Sequence, residues 1–407
     1  MYHSRMKNSL FAIVASLFAL SLMVYPKAAF ESSLTGLKMW WEIVFPSLLP
    51  FFIISELLIC FGVVRFVGVM MEPIMRPLFK VPGSGGFVWA MGISSGFPAG
   101  AKLTARLRQE KEISRIEAER LVSFTNCSNP LFILGAVAVG FFDNAELGVL
   151  LAAAHYIGNI FVGFLMRFYG SDDVRPKRHY SPGPDKRLSL ALDRMYQVRK
   201  RDPRPFGQQL GDAVRHSIQT LLMIGGFILL FSVLNRMLTE FHITMFMASI
   251  MSTFMALIGF AQALIPPFLS GMFEITLGSK LISETSGSAL LEQAVLVSFV
   301  LAFNGFSVQA QVASILAETD IRFKPFLLAR IMHGFIAAIL TILLWEPLYV
   351  KQTSQGKVVE TFASHPSISW IYDAWHSLLT VGAMITFISL IIFILIHLKS
   401  IKHYKIM

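Results

Sequence analysis

The stretch Ser94-Ser95-Gly96-Phe97-Pro98-Ala99-Gly100 lies inside an apolar run that extends from Phe87 to about Leu103. Glycine and proline disfavour a continuous helix, so this stretch predicts a turn within a hydrophobic segment. At membrane depth, irregular backbone is tolerated only where protein buries it or where it lines a polar cavity. The stretch therefore points to a broken helix at a buried site of a membrane protein.

The composition of the whole chain supports this class. Of the 407 residues, 55% are hydrophobic and 15% are charged, and the mean hydropathy is +0.62. Soluble domains usually have about 25% charged residues. These values exclude a disordered chain and argue against an ordinary soluble enzyme. Cys60 and Cys127 both lie in apolar runs, and they predict neither a disulfide framework nor a cysteine metal site.

Eight apolar segments are long enough to cross a membrane, which takes about 20 mostly apolar residues. The first follows two basic residues like a secretory signal, but its long core and the lack of a small-x-small cleavage site predict a retained helix. The predicted spans are 8–25, 41–63, 119–141, 147–168, 215–238, 293–317, 325–346 and 377–397.

Loop charges predict the topology, because cytoplasmic loops are enriched in Lys and Arg. Residues 170–205 carry ten Lys/Arg, five Asp/Glu and five prolines, which is typical of a solvated cytoplasmic linker and not of a nucleic-acid site. The acidic loop 142–146 and the balanced segment 349–376 are predicted to lie outside. Segment 82–118 must then begin and end inside, and segment 244–288 must begin and end outside. Both are therefore predicted to be re-entrant hairpins that open from opposite sides.

The two halves also repeat. A single offset aligns four residues of the first half with identical residues of the second. In the predicted topology the copies have opposite orientations, which is the usual build of a secondary transporter with a midplane substrate site. The fold class is thus an all-α polytopic membrane protein with about eight transmembrane helices and two re-entrant hairpins in an inverted repeat. The aligned pairs are Gly100 and Gly278, Lys102 and Lys280, Asn126 and Asn304, and His155 and His333.

Five regions follow from this topology. They are an N-terminal transmembrane helix (1–40), a first repeat (41–169) with its hairpin, a basic cytoplasmic linker (170–210), a second repeat (211–348) with its hairpin, and a final region (349–407) with an outer loop, the last span and a cytoplasmic tail.

The two hairpins supply the first candidate site residues. The start of a half-helix leaves N–H groups free and attracts anions, and a lysine one turn later adds positive charge. An intramembrane carboxylate such as Glu274 needs a cation or a proton. The alternatives are close helix packing by small residues for the first hairpin and an interfacial glutamate for the second. The candidates are Ser95, Gly96, Gly100 and Lys102 in the first hairpin, and Glu274 and Thr276 in the second.

The predicted helices 119–141 and 293–317 supply the others. Asparagine and glutamine offer donors and acceptors without charge, which suits a polar ligand or a sodium ion. Pro130 would free a backbone carbonyl beside them. The alternative is hydrogen bonding that only holds the helices together. The candidates are Asn126 and Asn129 on the first helix, and Asn304, Ser307 and Gln311 on the second.

His155 and His333 are candidates for proton coupling, because imidazole titrates near neutral pH; the alternative is a packed structural histidine. No metal, nucleotide or nucleophile motif is present, so neither an enzyme nor a cofactor is predicted. The predicted coupling ion is Na⁺ or H⁺. The predicted partners are a small anionic substrate and the lipid bilayer, with no nucleic acid.

The hairpin Ser270–Thr276, followed by Phe303-Asn304-Gly305-Phe306-Ser307, resembles the core of concentrative nucleoside transporters. The resemblance implies one hairpin opened from each side and substrate binding by Glu274, Asn304 and Ser307. By analogy alone it also implies a homotrimer. The first hairpin departs from that family, since it has small residues and a lysine where nucleoside transporters carry polar and acidic residues. This departure favours a more anionic substrate.

Over nearly its full length the chain resembles the sporulation integral membrane proteins called YlbJ or SpoVV, through the segments Ser94–Thr104 and Asn126–Pro130. This resemblance implies a multi-pass membrane protein of endospore formation in a Bacillus-like bacterium. It further implies transport of dipicolinate, a planar aromatic dianion, from the mother cell across the outer forespore membrane, as needed for the spore cortex and heat resistance. The open alternatives are a non-transporting scaffold for spore envelope assembly and a nucleoside or cation transporter. A membrane enzyme is the weakest reading.

Overall fold

A computed structural model describes residues 2–170, 184–257 and 259–351. Every regular element within these ranges is a helix. By length and composition, four of these helices can cross a membrane, or up to six if each of two bent pairs counts as one span. The all-helical membrane fold is thereby confirmed, whereas the count of eight spans and the re-entrant placement of the hairpins stay predictions. The predicted span 377–397 and the cytoplasmic tail lie outside the described residues.

The first repeat and the segments before it contain eight α-helices and two π-helical stretches. In chain order they are α1 (Tyr2–Val24), α2 (Pro26–Met39), a π-helix (Trp40–Val44), α3 (Phe45–Cys60), α4 (Val63–Phe79), α5 (Ser84–Ser95), α6 (Ala99–Gln109), α7 (Arg115–Thr125), a second π-helix (Leu131–Phe141) and α8 (Ala145–Met166).

The linker and the second repeat continue the chain with α-helices throughout, apart from one short 3₁₀ turn and a final π-helix. These elements are α9 (Pro184–Arg201), α10 (Phe206–Glu240), α11 (Ile243–Leu257), the 3₁₀ turn (Gln262–Leu264), α12 (Ile265–Phe273), α13 (Ile275–Ser283), α14 (Leu290–Phe303), α15 (Gly305–Leu316), α16 (Phe323–Trp345) and the π-helix (Glu346–Val350).

Three predicted spans are shorter or less regular than expected. The span 41–63 ends at Cys60, and α3 then meets α4 at an angle of 83°. Gly62 adopts a φ of +78° at this bend, a conformation that glycine reaches at little cost. The predicted span 293–317 corresponds to the candidate span Leu290–Leu316, which is interrupted at Asn304, and the predicted span 119–141 is divided between α7 and the Leu131–Phe141 π-helix. Both were predicted as continuous helices, and neither is continuous. Each is split into two helices.

The physical reason differs between the two splits. In the first, α7 ends at Thr125, and four non-helical residues precede Pro130, which lacks the N–H that a helix interior requires. In the second, Asn304 has a φ of +77°, a left-handed conformation that asparagine tolerates better than most residues. Most of the Leu290–Leu316 span is buried, so this broken helix lies in the interior of the protein.

The second hairpin breaks at Glu274, between α12 and α13. Pro266 and Pro267 do not interrupt the helix, because they occupy the first turn of α12, where proline is well tolerated. Gly271 lies within α12, and Gly278 of α13 packs directly on its backbone. In the first hairpin, Gly100 packs in the same manner against the backbone of Thr125. The small residues thus let the half-helices approach closely.

Helix ends in the two halves follow the sequence offset. The same separation of 178 residues relates Asn126 to Asn304 and His155 to His333, and these pairs are in hydrogen-bond contact. With this offset, α4 and α11 end at Phe79 and Leu257, α5 and α12 end at Ser95 and Phe273, α7 and α14 end at Thr125 and Phe303, and α8 and α16 begin at Ala145 and Phe323.

Replacing Gly278 with alanine is expected to destabilise the second hairpin, because the added methyl group would overlap the backbone of Gly271. Overpacking of this kind costs about 1–3 kcal/mol. Thermal unfolding of the purified protein should show a clear fall in Tm. Gly211→Ala is the matched control, since Gly211 lies in α10 with nothing within 4 Å of an added Cβ. An equal Tm for the two variants would contradict the close contact.

Candidate functional site

A cavity of about 390 Å³ lies where the helix breaks converge. This volume falls within the range of about 300–1,000 Å³ that is usual for small-molecule sites. The break between α5 and α6, the break before the Leu131–Phe141 π-helix and the break between α12 and α13 all contribute lining residues, as does the first turn of α15. The predicted site residues among the lining are Ser95, Gly96, Asn129, Glu274, Thr276, Ser307 and Gln311.

Three serines that line this cavity carry unpaired hydroxyls. The hydroxyls of Ser95, Ser128 and Ser307 are buried in or behind the cavity wall and make no hydrogen bond to any described residue. Buried polar groups are almost always paired, so three unpaired hydroxyls around one cavity need an explanation. The apolar part of the wall includes Phe97 and Phe132. The cavity therefore combines free hydrogen-bonding groups with aromatic surface, as a site for a polar aromatic molecule would.

Among the described residues that line this cavity, Glu274 is the only carboxylate. Its side chain is buried, and its Oε2 atom accepts a hydrogen bond of 2.7 Å from the N–H of Leu277, which caps α13. No ion pair to Glu274 occurs in the part of the chain that the structure describes. Its burial argues against the alternative of a glutamate at the outer surface.

The Asn129 side chain links the break after α5 to the start of the Leu131–Phe141 π-helix. Its Oδ1 atom accepts a hydrogen bond of 2.7 Å from the N–H of Phe132, and its Nδ2 atom donates one of 3.2 Å to the carbonyl of Ser95. Asn126 and Asn304 do not line the cavity but lie fully buried beside it. Asn304 Nδ2 donates to the carbonyl of Asn126 at 3.3 Å, while the Asn126 side chain and Asn304 Oδ1 have no partner among the residues that the structure describes.

Two predicted site residues of the first hairpin, Lys102 and Gly100, lie outside the cavity lining. Lys102 does not line the cavity: its Nζ atom lies 3.0 Å from Glu56 Oε1 and 5.4 Å from the ring centre of Phe52. Arg106 binds the other oxygen of Glu56 at 2.5 Å. Gly100 packs against the backbone of Thr125. Glu56 was not predicted, although a carboxylate within the predicted span 41–63 satisfies the same rule that singled out Glu274.

The two histidines lie together behind the cavity without lining it. His155 Nε2 accepts the N–H of Ser128 at 3.1 Å, and His333 Nε2 lies 2.8 Å from the carbonyl of His155. His333 Nδ1 accepts from Arg330 at 3.1 Å. Nε2 of His155 and Nδ1 of His333 thus accept hydrogen bonds, while Nδ1 of His155 is buried without a partner among the described residues.

Arg330 is a further residue that was not predicted. Its guanidinium is fully buried and donates to the carbonyls of Ser123 and Asn126 and to Asn159 Oδ1. These carbonyls belong to the last turn and the C-cap of α7, where the helix dipole favours a positive charge. Asn159 also donates to the carbonyl of Phe124. The sequence signal was an arginine inside the predicted span 325–346.

Comparison with known proteins places these features in a family. A family model described as "Gate: Nucleoside recognition" matches residues 41–142 and 221–319, which contain both hairpins and both split helices. The chain is 55% identical to the sporulation integral membrane protein YlbJ of Bacillus subtilis (strain 168) over 388 residues, which cover 94% of this chain and 95% of the relative. No solved structure matches the chain. The chain therefore belongs to the YlbJ family of sporulation integral membrane proteins.

Proposed function

We propose that this protein transports a small organic anion during sporulation, and that its substrate is dipicolinate. The movement would run from the mother cell across the outer forespore membrane, and spore cortex formation and heat resistance would depend on it. The observation that carries the proposal is the cavity at the helix breaks with its unpaired serine hydroxyls. The sporulation role of the family supports the biological setting.

The chemistry of the cavity suits a planar aromatic dicarboxylate. The Leu131–Phe141 π-helix, α13 and α15 all begin at or beside the cavity, and helix starts favour negative charge. Ser95, Ser128 and Ser307 offer hydroxyl donors, and Gln311 offers an amide donor. Phe97 and Phe132 provide apolar ring surface for an aromatic substrate.

Glu274 restricts how such an anion can bind. An ionised carboxylate in the same buried cavity would repel a dianion, and this repulsion is strong where water is scarce. Glu274 would therefore hold a proton while substrate is bound, and the proton would travel with the substrate. This argument favours H⁺ over Na⁺ as the coupling ion. His155 and His333 act as supports in this scheme, because three of their four ring nitrogens are engaged in hydrogen bonds with neighbouring groups.

Uptake of labelled dipicolinate into liposomes tests the proposal. Wild-type protein should exceed protein-free liposomes, and Gln311→Ala should lower the rate by about tenfold, the effect of losing about 1.4 kcal/mol of interaction. Gln208→Ala is the matched control, because Gln208 is exposed outside the cavity. Uptake at the protein-free level, or equal rates for Gln311→Ala and Gln208→Ala, would contradict the proposal.

A nucleoside is the second candidate substrate, favoured by the family model and by Glu274, whose carboxylate could accept hydrogen bonds from ribose hydroxyls. Competition separates the two candidates. Unlabelled nucleosides in excess should leave dipicolinate uptake unchanged. If nucleosides are taken up and dipicolinate is not, the substrate is a nucleoside and the dipicolinate proposal is wrong. A non-transporting scaffold would give no uptake of either.

A further inference from the structure

Helix α9 is the described part of the basic linker, and it is more than a solvated connector. It packs along α4, and Met195 and Val198 lie against Gly62 at the bend between α3 and α4. Val198 and Asp202 also close one side of a cavity of about 250 Å³ that reaches Arg65 and Arg106. Helix α9 is therefore docked on the first repeat at this bend.

An exposed apolar stripe runs along α9. Leu188, Leu192 and Tyr196 are 54%, 46% and 66% exposed. They follow one another at intervals of four residues, so they form a single stripe on the helix surface. The stripe lies beside the face that packs on α4, and no described element covers it. A helix that only connected two domains in water would not need three adjacent apolar side chains on an open face.

Positive charge lies at the C-terminal end of this stripe. The helix contains six basic and two acidic residues. Arg199 and Lys200 are exposed and lie three and four residues after Tyr196, so they continue the stripe, whereas the exposed Arg194 lies on the opposite side of the helix. An apolar stripe bordered by basic side chains is typical of helices that lie in the membrane interface, and Tyr is enriched at that depth.

The neighbouring helix α4 also carries an exposed apolar stripe. Met70, Ile74 and Leu78 are 37%, 45% and 45% exposed, again at intervals of four residues. Its charged side faces the protein, where Arg76 pairs with Glu117 at 2.6 Å. Because α4 turns by 83° from α3, it lies close to the membrane plane when α3 crosses the bilayer.

From these features we infer that α9 binds the surface of the bilayer that holds the protein. Leu188, Leu192 and Tyr196 enter the boundary between headgroups and acyl chains, and the basic residues contact anionic lipid phosphates. A bilayer surface is favoured over a protein partner because the stripe continues the apolar exposure of α4, which is part of the membrane-embedded repeat. The net positive charge of α9 matches anionic headgroups.

Site-specific fluorescence in lipid nanodiscs tests this inference on the full chain. A fluorophore is attached at Leu192→Cys, in a Cys60→Ser background, since Cys127 is buried and will not react. The matched control is Gln197→Cys, an exposed position on the opposite side of the same helix. Nanodiscs contain a shallow nitroxide lipid quencher in either pure phosphatidylcholine or a mixture with phosphatidylglycerol.

The label at residue 192 should be quenched at least about twofold more than the label at 197, with the larger difference in phosphatidylglycerol. Neutralising Arg199 and Lys200 to glutamine should remove this lipid dependence. Equal quenching at 192 and 197 overturns membrane contact, and it would be the result if a protein or another segment covered the stripe. Equal quenching in both lipids overturns recognition of anionic headgroups. Neither outcome depends on transport activity.

Discussion

Arg330→Ala is expected to collapse the packing around the first helix split. The substitution leaves the buried carbonyl of Ser123 and the Oδ1 atom of Asn159 without the guanidinium donor, and the carbonyl of Asn126 keeps only its hydrogen bond from Asn304 Nδ2. Each buried acceptor that loses its partner costs about 1–3 kcal/mol. The loss of the positive charge also removes a favourable interaction with the C-terminal end of α7. Purified protein should therefore show a large fall in Tm and no uptake of substrate.

Two comparisons make this prediction specific. Arg330→Lys keeps the charge but lacks the planar fork of donors, so it should recover only part of the stability. Arg236→Ala is the matched control, because Arg236 is about half exposed and pairs with Glu240 on the surface of α10. Such an exposed pair contributes about 0–1 kcal/mol. A Tm for Arg330→Ala as high as that of Arg236→Ala would show that the buried guanidinium does not support the split helix.

Glu274→Gln is expected to separate substrate binding from proton coupling. Glutamine retains an oxygen that can accept from the N–H of Leu277, so the cap of α13 should survive. It also resembles the protonated carboxyl and cannot ionise. Wild-type uptake should accelerate as the buffer on the substrate side becomes more acidic, because protonation removes the charge that repels the anion. Uptake by the variant should be independent of pH and should no longer respond to an imposed proton gradient.

Glu284→Gln provides the control, since Glu284 is 56% exposed and pairs loosely with Lys280. It should keep the pH response of the wild type. The result that contradicts this scheme is a Glu274→Gln variant whose uptake still follows the proton gradient. Acceleration of wild-type uptake by a sodium gradient would instead identify Na⁺ as the coupling ion.

Much of the architecture was predictable from hydropathy and the repeat. The span 147–168 was close to α8, and the offset that aligned Asn126 with Asn304 also relates the ends of most paired helices. The splits in 119–141 and 293–317 were not predicted. An apolar run with one asparagine or proline has the hydropathy of a continuous helix. Only the tertiary surroundings that satisfy the freed backbone groups make a split stable.

The site was predictable in part for a related reason. Polar residues at the breaks, such as Ser307 and Glu274, line the cavity, because breaks are where side chains and free backbone groups meet. Lys102 was expected to face an anion and instead pairs with Glu56, a partner 46 residues earlier in the chain. Arg330 reaches α7 across about half of the sequence. Pairings at such separation depend on the fold and leave no local pattern.

Direct binding of dipicolinate to the purified protein tests the central claim most closely. Isothermal titration of the wild type should give saturable binding, and a Ser307→Ala, Gln311→Ala double variant should weaken it by about tenfold or more. Gln208→Ala should bind as the wild type does. Absence of saturable binding, or equal affinity in the double variant and in Gln208→Ala, would contradict the claim that the cavity at the helix breaks is the substrate site.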